Sequence, residues 1–139
     1  LAKAQRRKEV ARMTENEISK HIVQAAFDVH GELGPGLLET VYEVAMDHLL
    51  RERFRTVRQQ RIPIRFRGLV FDEGFRADII VNDLVLVELK SVEALLPVHK
   101  KQVLTYLKLT RLKLGILINF NTNLIKDGIV RVVNGLPSS

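Results

Sequence analysis

The sequence predicts one α/β domain in the order helix, helix, three strands, helix, strand. Three observations carry that expectation. Apolar residues recur at helical spacing up to about residue 54, the period changes to two from Arg61, and a further helical stretch opens at Pro97 ahead of a last apolar run. A chain of 139 residues can bury one sizeable core but not two.

Thr14-x-x-Glu17 is a capping-box signature, and Ile18, Ile22, Ala25, Ala26, Val29 and Leu33 follow at helical spacing, giving a first helix over 14–33. Gly34-Pro35-Gly36 breaks it. A second helix is expected over 37–54, with Leu38, Val41, Ala45 and Leu49 on its buried stripe and Glu39, Tyr42, Glu43 and Met46 on an adjoining face. Ile62, Ile64 and Phe66 then alternate with Arg61, Pro63, Arg65 and Arg67, the pattern of a half-buried strand, and Pro63 places that strand at a sheet edge. Residues 75–81 and 84–92 give two more strands joined around Asn82-Asp83, the second nearly continuously apolar and hence central. Pro97 opens a helix over 97–110 with Val103 and Leu107 inward, 114–120 is a last buried strand, and 129–133 reads as a short extra one.

Composition narrows the function classes. No apolar run approaches the roughly 20 residues of a bilayer-spanning helix, and the absence of cysteine removes disulfide frameworks, thiolate zinc sites and cysteine nucleophiles together. With no apolar stretch resembling a secretory signal, the expected compartment is the cytoplasm. The net charge is +6, of which +4 lies in residues 1–12, where Lys3, Arg6, Arg7, Lys8 and Arg12 face only Glu9. Residues 1–13 are therefore expected to be a basic leader, disordered or foreign to the native protein, ahead of a domain over 14–139. A second basic region, Arg51, Arg53, Arg55, Arg58, Arg61, Arg65 and Arg67 opposed by Glu52 alone, could follow a phosphate backbone or simply be an arginine-rich solvent face.

Phosphodiester hydrolysis needs an activated water and neutralisation of the charge that builds on the phosphate. Carboxylates and carbonyls are oxygen ligands for magnesium or manganese, and a nearby lysine can orient the nucleophile. Glu88 and Lys90 stand two apart on one strand and share a face, while Leu89 points to the core and offers a backbone carbonyl. Asp78 lies on the preceding strand, so its position depends on the turn. A flush two-residue loop at Asn82-Asp83 would pair Asp78 with Val87 and send Glu88 to the other face. A three-residue loop over 82–84 would set Asp78 opposite Glu88, and this longer loop, or a bulge, is the expectation. Glu39 could approach the same sheet end, although a lone helical Glu is more often a surface residue. Gln102 and Tyr106 share a helical face with His99 and could bond phosphate or sugar oxygens or brace Lys90, or could be ordinary polar helix residues.

Other strings fail on context. Gly31-x-x-Gly34-x-Gly36 lacks both a preceding strand and a Gly-Lys-Ser/Thr, and His21, His30, His48 and His99 lack zinc spacing.

Asp78, then Glu88-Leu89-Lys90, then Gln102-x-x-x-Tyr106 resembles the PD-(D/E)XK nuclease superfamily and particularly its RecB-type nucleases. Gly36-Leu37-Leu38-Glu39-Thr40-Val41-Tyr42, with Leu33-Gly34-Pro35 before it and Ile118-Asn119-Phe120 near the end, looks like the small GxxExxY family within it. The resemblance covers nearly everything after Met13; Ala77 stands where the superfamily name places a proline. It implies a restriction-endonuclease-like core, helix-strand-strand-strand-helix-strand, with a mixed four-stranded sheet flanked by helices and here an extra N-terminal helix. It also implies a Mg2+- or Mn2+-dependent nuclease acting on nucleic acid, DNA foremost, either alone or as a homodimer or larger assembly. In that reading Asp78, Glu88, Glu39 and the Leu89 carbonyl hold the metal, Lys90 is the catalytic lysine, and Gln102, Tyr106, Arg65 and Arg67 support the site or the substrate. Two alternatives stand beside it: a nucleic-acid-binding or regulatory module that keeps the fold without turnover, and a purely structural ion-pair network, which is disfavoured because buried charges cost heavily unless paired.

Overall fold

The structure, a computed structural model, describes residues 2–5 and 13–137, so most of the basic leader, residues 6–12, lies outside the described residues. Helix α1 spans Glu15–Leu33, and its capping box is closed from both sides: the Thr14 hydroxyl accepts from the Glu17 N–H and a Glu17 carboxylate oxygen accepts from the Thr14 N–H, each at 3.2 Å. Ile18, Ile22, Ala25, Ala26 and Val29 are buried as their spacing requires, but Leu33, at the frayed end of the stripe, is exposed. The helix stops at Gly34, whose φ of 72° lies where only glycine is comfortable and whose N–H closes on the His30 carbonyl at 2.8 Å. His30 itself is structural, its Nε2 bonding the Thr122 carbonyl at 2.7 Å.

Helix α2, Glu39–Leu50, is rotated relative to the expected stripe. Its buried residues are Tyr42, Glu43, Met46, Asp47 and Leu50, whereas Leu38 and Val41 are exposed and Ala45 and Leu49 are only partly covered. Tyr42 sets the rotation. Its ring stacks on Phe120 at 4.4 Å and 6°, and its hydroxyl donates to the Gly34 carbonyl at 2.7 Å while accepting from the Leu37 N–H at 3.0 Å. An aromatic ring that fills the core and ties down the preceding turn outweighs the smaller burial of Leu38 and Val41.

Five strands form one sheet in the order β1-β2-β3-β4-β5: β1 Thr56–Phe66, β2 Leu69–Val81, β3 Val85–Lys90, β4 Leu114–Asn119 and β5 Ile129–Val133. Only β3 and β4 run parallel, joined by helix α3, Pro97–Thr110. The sheet therefore has five strands rather than four, because 129–133 does pair antiparallel with β4 after a short 3-10 turn, Ile125–Gly128. Helices α1 and α2 cover one face with Val85, Val87, Leu89, Ile116 and Ile118, and α3 covers the other with Leu86 and Leu117. That double cover explains the unbroken apolar runs of β3 and β4. No described helix is long and apolar enough to cross a membrane.

β1 is an edge strand, as Pro63 required, and with β2 it outruns the rest of the sheet. β2 pairs with β3 only over Ile79–Val81, so the remainder of β1 and β2 forms a two-stranded ribbon. The register shifts at Pro63, which has no N–H to donate, and two additional β2 residues are accommodated there. Gly74 lies in this bulge, where a Cβ would come within 2.1 Å of the Ile64 side chain.

On the α3 face, a Cβ at Gly115 would sit 2.7 Å from Val103 Cγ1. We expect Gly115→Ala to destabilise the protein by about 1–3 kcal/mol through overpacking. Urea unfolding measures this, and an unchanged midpoint would contradict the close packing of α3 on β4.

Candidate active site

The turn between β2 and β3 decides what faces what. Asn82 and Asp83 both adopt left-handed backbone, φ 52° and 54°, and the Leu84 N–H closes on the Val81 carbonyl at 3.0 Å. Two such residues would suffice for a tight hairpin. Leu84 is an additional one, so Val81 pairs with Val85, Ile80 with Leu86 and Ile79 with Val87. This is the three-residue loop that the sequence required, and it carries Asp78 to the position opposite Glu88.

There the ladder ends. The Asp78 N–H donates to Glu88 Oε1 at 3.2 Å, and the Leu89 N–H donates to Asp78 Oδ2 at 2.8 Å. Each acid thus accepts a backbone amide from the other strand at the point where regular β2–β3 pairing stops. Each carboxylate oxygen has two lone pairs, so these bonds orient the acids without exhausting them. Within a strand the N–H and C=O of one residue point to the same side, so the Leu89 carbonyl turns toward the same gap. The next residue points the other way, its Lys90 carbonyl accepting from the Phe120 N–H at 2.9 Å.

Burial gives these acids unusual titration. Glu88 is 7% exposed, and its carboxyl is pushed up to about 8, first by desolvation and then by the Asp78 charge, while Lys90 pulls in the other direction. Asp78 is also raised, chiefly by burial and further by the fields of Glu43 and, more weakly, Glu39. Lys90, half-buried two residues beyond Glu88, shares its face.

The sequence reading missed two residues here. Gln59, across the ribbon from Asp78, sends its Nε2 to Asp78 Oδ1 at 3.1 Å and to Glu43 Oε1 at 2.5 Å, from a backbone held at φ 50°. Glu43 is buried and takes a second partner in Arg58, at 2.7 and 2.9 Å. Glu43 lies one turn beyond Glu39, so the shared helical face was visible in the sequence. The apolar stripe assigned to Val41 and Ala45 concealed that this face is the inward one.

The remaining residues divide. Tyr106 stacks on Phe75 at 3.8 Å and 7°, and its phenol is raised by burial and by the charges of Glu88 and Asp78, so it lies within the field of the acids. Gln102, one turn earlier, is exposed, and no hydrogen bond links it to them. His99 caps α3, its Nδ1 accepting from the Leu96 N–H at 3.0 Å. Glu39 is exposed at the start of α2. Arg65 and Arg67 stand at the far end of the ribbon, away from the acids.

Whether a hard divalent cation fits can be judged from the donors. Among the described residues no group of three or more His, Cys, Asp or Glu side chains converges on one point. Buried Glu88 and half-buried Asp78 meet at the gap toward which the Leu89 carbonyl turns, an all-oxygen set of the kind magnesium takes while keeping several waters. Like charges this close and this buried are relieved by a cation, so the donor set fits.

A family model described as the PD-(D/E)XK nuclease superfamily matches residues 16–132. The chain belongs to that superfamily. Comparisons with curated proteins and with solved structures give no match. Membership agrees with the restriction-endonuclease-like sheet and implies nucleic-acid binding, and superfamily members generally use divalent metals.

A raised carboxyl in the folded state binds its proton more tightly than in the unfolded chain, so stability is highest below the unfolded value and falls as pH rises toward the folded one. For Glu88 that window runs from 4.5 to about 8. In chelator, Tm should fall across that window, magnesium should recover much of the loss at pH 8, and Glu88→Gln should flatten the slope. A wild-type Tm that rises over that range would contradict a buried Glu88 facing the Asp78 charge. Gln59→Ala should leave the fold intact but free Asp78 and Glu43 from their bridge, weakening cation affinity several-fold by calorimetry.

Proposed function

We propose that the protein is a metal-dependent phosphodiesterase that hydrolyses nucleic acid, DNA foremost, at the gap between Asp78 and Glu88. One observation carries this reading: a buried carboxylate, Glu88, and a half-buried one, Asp78, face each other where β2 and β3 part, each accepting a backbone amide from the other strand. A structural ion pair would match each acid with a base, whereas here burial raises both acids, the Asp78 charge raises Glu88 further, and Glu43 raises Asp78.

Asp78, Glu88 and the Leu89 carbonyl would hold magnesium or manganese. When bound, that cation supplies Lewis-acid neutralisation of the scissile phosphate and lowers the pKa of a coordinated water. Lys90, on the same strand face as Glu88, orients the attacking water and offsets charge on the phosphate oxygens. Tyr106, kept protonated, donates to a phosphate or sugar oxygen. Gln59 holds the Asp78 carboxylate and ties it to Glu43, and Glu39, exposed at the start of α2, would add negative charge near the cation. Gly36, Glu39 and Tyr42 in their spacing support assignment to the GxxExxY family.

The exposure of Glu39 and the absence of a third converging acid among the described residues favour a second reading, a binding module that retains the fold without turnover. Cleavage and calorimetry separate the two. With magnesium or manganese, the wild-type protein should cut single-stranded, duplex, branched or RNA substrates. Asp78→Asn, Glu88→Gln and Lys90→Ala should each lose at least about a hundredfold in rate while keeping their circular dichroism. Absence of cation binding to the wild type at millimolar concentration would leave only the module.

A further inference from the structure

The ribbon's far end is built unlike the rest of the surface. Phe66, Arg67, Gly68 and Leu69 form its turn, with Arg67 and Gly68 at φ 46° and 86°, the primed geometry that suits a tight hairpin. Directly opposed residues share a face, so the pairs Ile64 with Phe71 and Phe66 with Leu69 line one side, and Arg65 with Val70 the other. Phe66, Leu69 and Phe71 are each more than half exposed, although ribbon tips of monomeric proteins rarely present such a cluster to water. The Arg67 guanidinium lies 5.3 Å over the Phe66 ring.

This apolar side continues toward the acids. Ile62 and Phe75 are a pair on the same side of β1, and Phe75 carries the stacked Tyr106 whose phenol feels Glu88 and Asp78. Phe66 is seven residues along β1 from Gln59. At about 3.3 Å per residue that is about 23 Å from the site, roughly seven stacked nucleotides at about 3.4 Å each.

Charge identifies the occupant. Arg61 is paired with Glu73, but among the described residues neither Arg65 nor Arg67 has a carboxylate partner. A second copy of this chain would bring the same two cations against each other. A polyanion would satisfy them. Contact with an intact duplex backbone would use the arginines and leave the phenylalanines idle, because paired bases hide their faces. An exposed aromatic ring beside a guanidinium group, as Phe66 is beside Arg67, is a stacking platform for unpaired bases, and Arg65 on the opposite side would meet the phosphates of a strand that wraps the ribbon.

We propose that the ribbon tip holds an unpaired nucleic-acid strand, so that the substrate carries a single-stranded tail or branch about seven nucleotides from the cleaved phosphate. This rests on the nuclease reading for where the phosphate lies, but the binding step needs neither metal nor turnover.

The test uses the full chain carrying Asp78→Asn, in chelator, with fluorescein-labelled blunt duplex, tailed duplex and single strand, the tails in deoxyribose and ribose forms. A 2-aminopurine placed along the tail reports stacking. Tailed duplex should bind at least about tenfold tighter than blunt duplex. Phe66→Ala with Phe71→Ala should abolish that preference and the 2-aminopurine quenching, and Arg65→Ala with Arg67→Ala should weaken binding and flatten its salt dependence. Both pairs are exposed, so circular dichroism should be unchanged. Equal affinity for blunt and tailed duplex would overturn the proposal. So would a phenylalanine variant that binds normally but loses a self-association seen by sedimentation, which would make the tip a contact between copies. If the tail preference holds yet the protein without Asp78→Asn cuts nothing with magnesium or manganese, the ribbon assignment is supported and the nuclease reading fails.

Discussion

The candidate site depends on one residue of loop length. Asn82 and Asp83 complete a turn, and Leu84 is the added residue that makes Val81 face Val85. Because strand side chains alternate, removing one residue from that loop would shift β3 by one and exchange its two faces. β3 is apolar on both faces except for Glu88 and Lys90, so burial alone constrains its register weakly. The turn does so instead. Its lever is short: three ladder pairs separate Val81 from the point where the strands part.

Once the register is set, the local electrostatics follow from a shortage of partners. Asp78 and Glu88 meet where the ladder has ended, and freed backbone amides are the nearest donors. Those bonds lower the cost of burying charge but do not cancel it, which is why both acids stay raised. Support comes from the ribbon and from α2 through Gln59, whose left-handed backbone is a strained choice for a residue with a Cβ. Strain and uncompensated charge in one place are what a preorganised ligand site costs in stability.

Most of the fold was legible because its signals are local and mutually consistent. The capping box at Thr14, the break at Gly34-Pro35-Gly36, the twofold period from Arg61 and the proline at the start of α3 each act over a few residues. The position of Asp78 opposite Glu88 was legible too, because turn length and strand parity fix it once the elements are known. What escaped depends on long-range competition. The inward face of α2 is chosen by Tyr42 meeting Phe120, nearly eighty residues away, and that choice buries Glu43 in place of Val41. Gln59 looked like a solvent residue of an arginine-rich strand, and nothing in its neighbours announces φ 50°.

The same long-range pairing resolves the arginine-rich stretch. Read as a sequence, seven arginines between 51 and 67 suggest a continuous phosphate track. In the structure, Arg51 lies against Asp47, Arg53 against His21, Arg55 against Asp83, Arg58 against Glu43 and Arg61 against Glu73. Four of the seven face a carboxylate and Arg53 is held by a neutral imidazole, so a count of basic residues overstates the free charge. Arg65 and Arg67 are the two left over, and they coincide with the segment where the sheet stops covering the ribbon and the aromatic side chains emerge. Charge without partners and apolar surface without cover arise there from one cause, the length by which β1 and β2 outrun β3. A strand pair that extends beyond its sheet exposes both kinds of group, and a ligand with an anionic backbone and stackable faces satisfies both at once.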